Sequence, residues 1–382
     1  MRFLRKKELW KCFVSWNVLL TVLFPMPIGA TENSGVSAKA AVLIEQSTGQ
    51  VLFGKNENRR LPMASTTKIM TAVVALEHGN LQDMVTVSKD AAYTEGSSMY
   101  LHVGESVCLE SLLYGLMLNS GNDAAIAIAE HIAGSVEGFV TLMNETAAKI
   151  GVQNTSFRNP NGLDAEGHFT TAYDLAMITR YALNHPDFQK IVRTKTKAVE
   201  LDGKPEGRLL SNHNKMLKQY PGCDGVKTGF TKKCGRCLVS SATRDGMQLI
   251  AVTLNAPNDW QDHTDLLNDG FHTYQMLSVN VPDQEIAVQN GQSLLQAAAR
   301  EPVKILVKKQ EESLYHMEIQ WKEPLKAPIR ENQAVGKALV YRGNDVVQKT
   351  LLLARNRVEP LVLKPHYLEI LRKFFCGMQQ SG

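Results

Sequence analysis

Ser65-Thr66-Thr67-Lys68 places a hydroxyl and an ammonium three residues apart, and residues at that spacing share one face of a helix. Pro62 ends whatever precedes the stretch, Ser65 is suited to cap a helix, and Gly79 is suited to stop it, so a helix is predicted from Ser65 to about His78. From Ile69 to Leu76 only Thr71 is polar, and a helix apolar on all sides is a buried one. A serine needs a base to act as a nucleophile at neutral pH, and a desolvated lysine with a lowered pKa can serve. Ser-x-x-Lys alone is common by chance, but two further stretches accompany it. Ser120-Gly121-Asn122 joins two apolar helical patterns, one through Leu112, Leu113, Leu116 and Met117 and the other from Asp123 to Ala133. Lys227-Thr228-Gly229-Phe230 lies in a run fit for a strand, where Gly229 allows a substrate backbone to approach.

Ser-x-x-Lys, Ser-x-Asn and Lys-Thr-Gly in this order form the signature shared by penicillin-binding proteins and class A β-lactamases. The chain resembles the low-molecular-mass penicillin-binding proteins, serine-type D-alanyl-D-alanine carboxypeptidases, over more than these motifs. The likeness includes Ala41-Val-Leu-Ile-Glu-Gln-Ser-Thr-Gly-Gln-Val-Leu-Phe-Gly54, Gly96-Ser-Ser-Met-Tyr-Leu-His-Val-Gly104 and Asn159-Pro-Asn-Gly-Leu-Asp164. It continues through His168-Phe-Thr-Thr-Ala-Tyr-Asp-Leu175 and Gly235-Arg-Cys-Leu-Val-Ser-Ser-Ala-Thr-Arg244.

The resemblance implies acyl transfer to water, with no metal and no cofactor. Ser65 would attack the carbonyl between two terminal D-alanines of a peptidoglycan stem peptide, with Lys68 as the base. Ser120 would relay a proton to the leaving amine, and Asn122 would orient Lys68 and the substrate amide. Lys227, Thr228 and Gly229 would hold the substrate's carboxylate end, and the backbone N–H groups of Ser65 and Phe230 would form the oxyanion hole. β-Lactams would acylate the same serine. Some relatives have an arginine near position 259 that helps to hold substrate, where this chain has Asp259. A β-lactamase is the nearest alternative, but class A enzymes need a glutamate in a Glu-x-x-Leu-Asn loop. Between Ser120 and Lys227 the sole Leu-Asn is Leu183-Asn184, preceded three residues earlier by Arg180. A catalytically silent wall-binding protein would have no reason to keep both Ser65 and Lys68.

At 382 residues, 44% of them hydrophobic, the chain has material for two domains. Residues 1–30 hold Arg2, Arg5, Lys6, Lys7 and Lys11 against Glu8, which accounts for the formal charge of +4. The remainder is neutral, and nothing calls for a nucleic-acid partner. That basic start, the apolar run from Phe13 to Phe24 and the stretch ending at Ala30 read as an export signal over 1–30, an uncleaved anchor being the alternative. Of six cysteines, Cys234 and Cys237 form a Cys-x-x-Cys in neither a zinc nor a thioredoxin context, and they are read as incidental.

The elements that must position these residues begin with a hairpin, Ala41–Ile44 and Val51–Phe53 around Gln46-Ser-Thr-Gly-Gln50. Helices follow over 110–117, 123–132 and 136–150, and another starts at the capping-box sequence Thr171-Ala-Tyr-Asp174. His168 is read as structural. Strands over 237–242 and 247–254 and a helix over 262–276 close the domain. The expected fold is an α/β-type sandwich, about five antiparallel strands packed with helices, over residues 31–278. Residues 279–360 read as a small all-β domain, with strands over 285–288, 303–307, 314–319, 337–341 and 346–354. In 361–382, Tyr367, Ile370, Leu371 and Phe374 recur at helical spacing beside Lys364, Arg372 and Lys373. That is a short basic amphipathic helix, expected to hold an exported enzyme peripherally on the outer face of the cytoplasmic membrane. One outcome tests the nucleophile: mass spectrometry of penicillin-treated protein places the adduct on the peptide containing Ser65, and Ser65→Ala abolishes labelling. Labelling that survives the substitution overturns the assignment.

Overall fold

A computed structural model describes residues 35–201, 204–362 and 369–373. The expected export signal, and most of the expected terminal helix, lie outside the described residues. Five antiparallel strands form the central sheet in the order Val51–Lys55, Ala40–Glu45, Met247–Leu254, Gly235–Arg244, Cys223–Thr231. The N-terminal hairpin therefore forms one side of the sheet and docks on its middle strand, some 200 residues later, Val42 facing Val252. The Lys227 strand ends up at the edge.

The alternating pattern of these strands serves two cores. Val42, Ile44, Val226, Val239, Ile250 and Val252 face the large helical cluster built on Ile69, Val73, Leu112, Leu116, Ile128 and Ile178. Ala41, Leu43, Leu238, Leu249 and Ala251 face the other way, against Leu266, Leu267 and Phe271 of the helix Asp259–Thr273. Both faces are covered because every second residue is apolar on each side of the strand. The expected sandwich is the observed one.

The helix Lys68–His78 runs through the larger core, all its residues from Lys68 to Ala75 buried. The helices Leu109–Leu118 and Asn122–Ala133 pack beside it. Ala124, Ala125, Ala127 and Ala129 keep the second of these slim enough for close approach. Thr171 caps the helix Ala172–Ala182 by accepting from the Asp174 N–H at 3.0 Å. Asp174 does not complete the box; its carboxylate accepts instead from Asn154 N–H and Thr155 Oγ1 at 2.7 and 2.9 Å, tying the helix to the preceding loop.

Three local readings differ. The closing helix spans Asp259–Thr273 rather than 262–276, because Tyr274–Val279 leaves it as a strand paired with Val303–Lys308. The expected division at 278/279 thus falls at the end of that strand. A hairpin of Thr196–Leu201 and Lys204–Ser211 had no clear apolar alternation to announce it. The Ala-rich strand Leu295–Ala299 was likewise silent in sequence; it buries Leu295 and Ala297 in the small domain. That domain is a five-stranded antiparallel sheet in the order Gln284–Ile286, Leu295–Ala299, Asp345–Ala354, Ala334–Arg342, Tyr315–Trp321. Its core holds Ile305, Val307, Ala338, Val340 and Leu352.

Candidate active site

Ser65 lies in a 3₁₀ turn, Ala64–Thr67, that leads into the helix at Lys68. It does not cap that helix. The neighbouring hydroxyls turn back instead, Thr66 Oγ1 donating to Met63 O at 2.6 Å and Thr67 Oγ1 to Ala64 O at 2.8 Å. Ser65 Oγ is left to meet Lys68 Nζ at 3.0 Å.

The Lys68 ammonium is fully buried among three oxygens: Ser65 Oγ, Asn122 Oδ1 at 2.7 Å and the Asn161 carbonyl at 2.5 Å. Three donors on a lysine match three acceptors. Burial lowers its pKa well below the ordinary lysine range, and Lys227 nearby lowers it further, while Asp123 acts the other way. The arrangement also sets the direction of proton transfer. Asn122 Nδ2 donates to Glu95 O at 2.6 Å, so its oxygen is the atom turned to Lys68. That oxygen and the Asn161 carbonyl can only accept. When Lys68 is neutral, its lone pair has one available donor among the three, the Ser65 hydroxyl.

Asn161 was not singled out as a site residue. Its contribution is a backbone carbonyl, which no residue type advertises, although Asn159-Pro-Asn-Gly-Leu is distinctive as a stretch. The loop is shaped by its own side chains: Asn159 Oδ1 accepts from Gly162 N–H at 2.7 Å, and Asn161 Oδ1 from Leu163 N–H at 3.1 Å. Pro160 O accepts from Thr71 Oγ1 at 2.6 Å, which satisfies the one hydroxyl in the buried helix. Gly162 has φ +87°, and a Cβ there would stand 2.1 Å from Ala64 O, so only glycine lets this loop close over the Ser65 turn.

Asn122 opens its helix and is held at both ends, its N–H donating to Ser97 O at 2.7 Å. Asp123 beside it gathers the N–H groups of Met99 and Leu101 and the Ser98 hydroxyl. Ser120, with φ +60°, is buried in the connection before this helix. Its hydroxyl has no partner among the described residues and makes no bond to Lys68. The edge strand brings Lys227, Thr228, Gly229 and Phe230 against the Ser65 turn. A Cβ on Gly229 would lie 3.1 Å from both Ser65 N and Thr66 N, so the close approach expected of this glycine is to the nucleophile's own backbone. Lys227 is buried, donates to Thr228 O at 3.0 Å, and is pushed down to about 7 by desolvation. Thr228 is half-buried and Phe230 exposed. Lys68 and Asn122 are thus hydrogen-bonded in sequence to Ser65, the Lys227–Phe230 strand packs on the same turn, and Ser120 has no direct bond to the others.

His168 is structural. Its Nδ1 accepts from Arg158 N–H at 2.9 Å, so Nε2 carries the proton toward Thr67 Oγ1 at 2.8 Å, and burial lowers its pKa to about 4. His213 is a neighbour that sequence reasoning missed. It is lowered by burial and by Lys227, and its N–H donates to Leu118 O, just before the Ser120 connection. Asp259 is buried in a 2.8 Å pair with Arg236. Arg180 donates to Gln46 O and Ser47 O, so that stretch braces the N-terminal hairpin. Cys108, Cys223, Cys234 and Cys237 are free thiols, and among the described residues no cluster is suited to a metal.

The family model for D-alanyl-D-alanine carboxypeptidase matches residues 28–258. The chain belongs to that family. A second model, the penicillin-binding protein 5 C-terminal domain, matches residues 271–360. The chain is 37% identical over 331 residues to D-alanyl-D-alanine carboxypeptidase DacF of Bacillus subtilis, covering 83% of this chain and 85% of the relative. It is 34% identical over 348 residues to DacC of Escherichia coli, covering 85% of each. Penicillin-binding protein 5 from Haemophilus influenzae superposes with a TM-score of 0.72 at 29% identity, covering 87% of this chain and all of that one. The Streptomyces K15 DD-transpeptidase superposes with a TM-score of 0.60 at 33% identity over 63% of this chain and 99% of that one.

The depressed pKa of Lys227 has a consequence for stability. Between about 7 and the ~10.4 of an unfolded lysine, the unfolded chain holds a proton that the folded one lacks. Stability therefore rises with pH across that window and falls as pH drops toward 7. Lys227→Met removes this contribution, so the wild type gains more in Tm between pH 7 and pH 9.5 than the variant does. Equal gains in calorimetry would show that the folded lysine keeps its ordinary pKa.

Proposed function

We propose that Ser65 is the acylated nucleophile, and Lys68 its base, in a serine-type D-alanyl-D-alanine carboxypeptidase acting on peptidoglycan stem peptides. The observation that carries this assignment is the buried Lys68 amine, clamped by two oxygens that can only accept and one hydroxyl that can give up a proton. Neutral Lys68 takes the proton of Ser65 as Oγ bonds to the carbonyl carbon between the two D-alanines. The oxyanion is held by the N–H groups of Ser65 and Phe230, each such donor contributing about 3 kcal/mol to the transition state. Protonated Lys68 returns that proton to Ser120 as the Ser120 hydroxyl passes its own to the departing amine, the bond to the terminal D-alanine breaks, and Lys68 is neutral again. Water then hydrolyses the acyl-enzyme with Lys68 again as base. Thr228, with Lys227 behind it taking up a proton as the anion arrives, receives the substrate carboxylate, and Gly229 keeps the strand close to Ser65. A β-lactam enters the same site and acylates Ser65.

Lys68→Arg keeps a cation but not a base, because guanidinium stays protonated. Release of D-alanine from an acyl-D-Ala-D-Ala peptide should fall at least ~100-fold, as should the rate of penicillin acylation. Rates close to wild type would mean that another group takes the Ser65 proton.

The enzyme is exported by residues 1–30 and rests on the outer face of the cytoplasmic membrane through residues 361–382, after a catalytic domain over 31–278 and a β-rich domain over 279–360. Residues 369–373 are helical, with Ile370 and Leu371 about half exposed, and Leu361 and Val362 are exposed just before. Among the described residues no single helix is long and apolar enough to cross a membrane. Burying about four apolar side chains gives reversible attachment, strengthened by Lys364, Arg372 and Lys373 at anionic lipid. Deleting residues 364–382 should release an enzyme that still binds penicillin. Retention of the truncated protein in the membrane fraction would place the anchor elsewhere.

A further inference from the structure

Six large hydrophobic residues are exposed among the described residues of the catalytic domain: Met84, Tyr93, Tyr100, Val103, Leu209 and Phe230. Single exposed apolar residues are ordinary, but five of these stand on segments bonded to the site. Tyr93, Tyr100 and Val103 belong to the stretch whose Glu95 and Ser97 carbonyls hold Asn122. Leu209 lies two residues before Ser211, whose N–H donates to Asn119 Oδ1 at 3.0 Å beside Ser120.

Tyr100 is set apart by its backbone. Its φ of +63° lies in the left-handed region, which an aromatic residue enters only where the surroundings impose it. Here Asp123 imposes it by accepting from Met99 N–H at 3.0 Å and Leu101 N–H at 3.1 Å, on either side of Tyr100. Ser98 Oγ, itself donating to Asp123 at 2.6 Å, accepts from Tyr100 N–H at 2.7 Å. Met99 and Leu101 are buried, and Tyr100 is 72% exposed. A glycine would adopt this backbone without strain, yet the position holds a ring that the fold does not bury. The carboxylate whose bonds hold that backbone is the direct neighbour of Asn122, so the position from which the ring projects is registered to Lys68 through two residues.

We propose that Tyr100 determines specificity for the residue preceding the D-alanyl-D-alanine pair, packing its ring against the apolar part of that side chain. The inference rests on the reading given under Proposed function. If Asn122 orients the substrate amide, as that reading has it, the chain before the scissile bond runs past Asn122, and the stretch bonded to Asn122 carries Tyr100. A flat ring favours a long aliphatic side chain over none at that position.

Two peptides test this, N-acetyl-norleucyl-D-Ala-D-Ala and N-acetyl-glycyl-D-Ala-D-Ala, with kcat/KM measured from D-alanine release. The norleucine-to-glycine ratio of kcat/KM should fall about tenfold in Tyr100→Gly, which suits the backbone and keeps the fold. The ratio should stay within about twofold of wild type in Tyr100→Phe, which keeps the ring. A ratio unchanged in Tyr100→Gly overturns the proposal, whether or not both rates fall together. A wild-type protein that releases D-alanine from neither peptide overturns the functional reading, and this inference with it.

Discussion

A lysine ammonium with no exposure to solvent is the constraint on which this molecule's catalytic half is arranged. Leaving such a group unpaired would cost several kcal/mol, so the fold must bring oxygen atoms to it from separate parts of the chain. It brings three: Ser65 from the preceding turn, Asn122 from the start of another helix, and the Asn161 carbonyl from a loop almost a hundred residues on. Each supplier is itself tied down. Asn122 is held by Glu95 and Ser97, and the Asn161 loop by Asn159 and by contact with Ala64 at Gly162. Loosening any of these would let water reach the amine and weaken the burial that lowers its pKa.

The second buried lysine makes sense beside the first. Lys227 lies close enough to lower the pKa of Lys68 further, and it is itself lowered by burial. Two buried amines that close cannot both be charged cheaply. The sheet makes the pairing possible by putting the Lys227 strand at its edge, against the Ser65 turn, while the inner strands carry the two cores.

Polar groups buried around the site divide into those that move protons and those that hold geometry. His168 and Asp123 belong to the second kind. His168 is locked in one tautomer between Arg158 N–H and Thr67 Oγ1, and Asp123 spends its carboxylate on the stretch from Ser98 to Leu101. Asp259 is also of the second kind, its charge paired with Arg236 within the sheet-and-helix frame.

Much of this was legible in the residue order. Ser65 with Lys68, Ser120 with Asn122, and Lys227 to Phe230 are side-chain motifs, and motifs of that kind survive as linear patterns because the spacing within each is set by one turn or one strand. Apolar periodicity announced the buried helix at Ile69 and the paired strands around Val239 and Ile250 for the same local reason. Other features had no linear trace. The Asn161 carbonyl is identical in every residue type, and its role depends on where Gly162 lets the loop pass. The second alternation of the Ala41–Leu43 face has meaning only once a helix some 220 residues later covers it. Tyr274 reads as helix until a strand at Val303–Lys308 offers it backbone partners. Sequence alone therefore determined which side chains the candidate site is assembled from. Tertiary structure decided their protonation and approach, because burial and backbone contact belong to the folded neighbourhood and not to any residue in it.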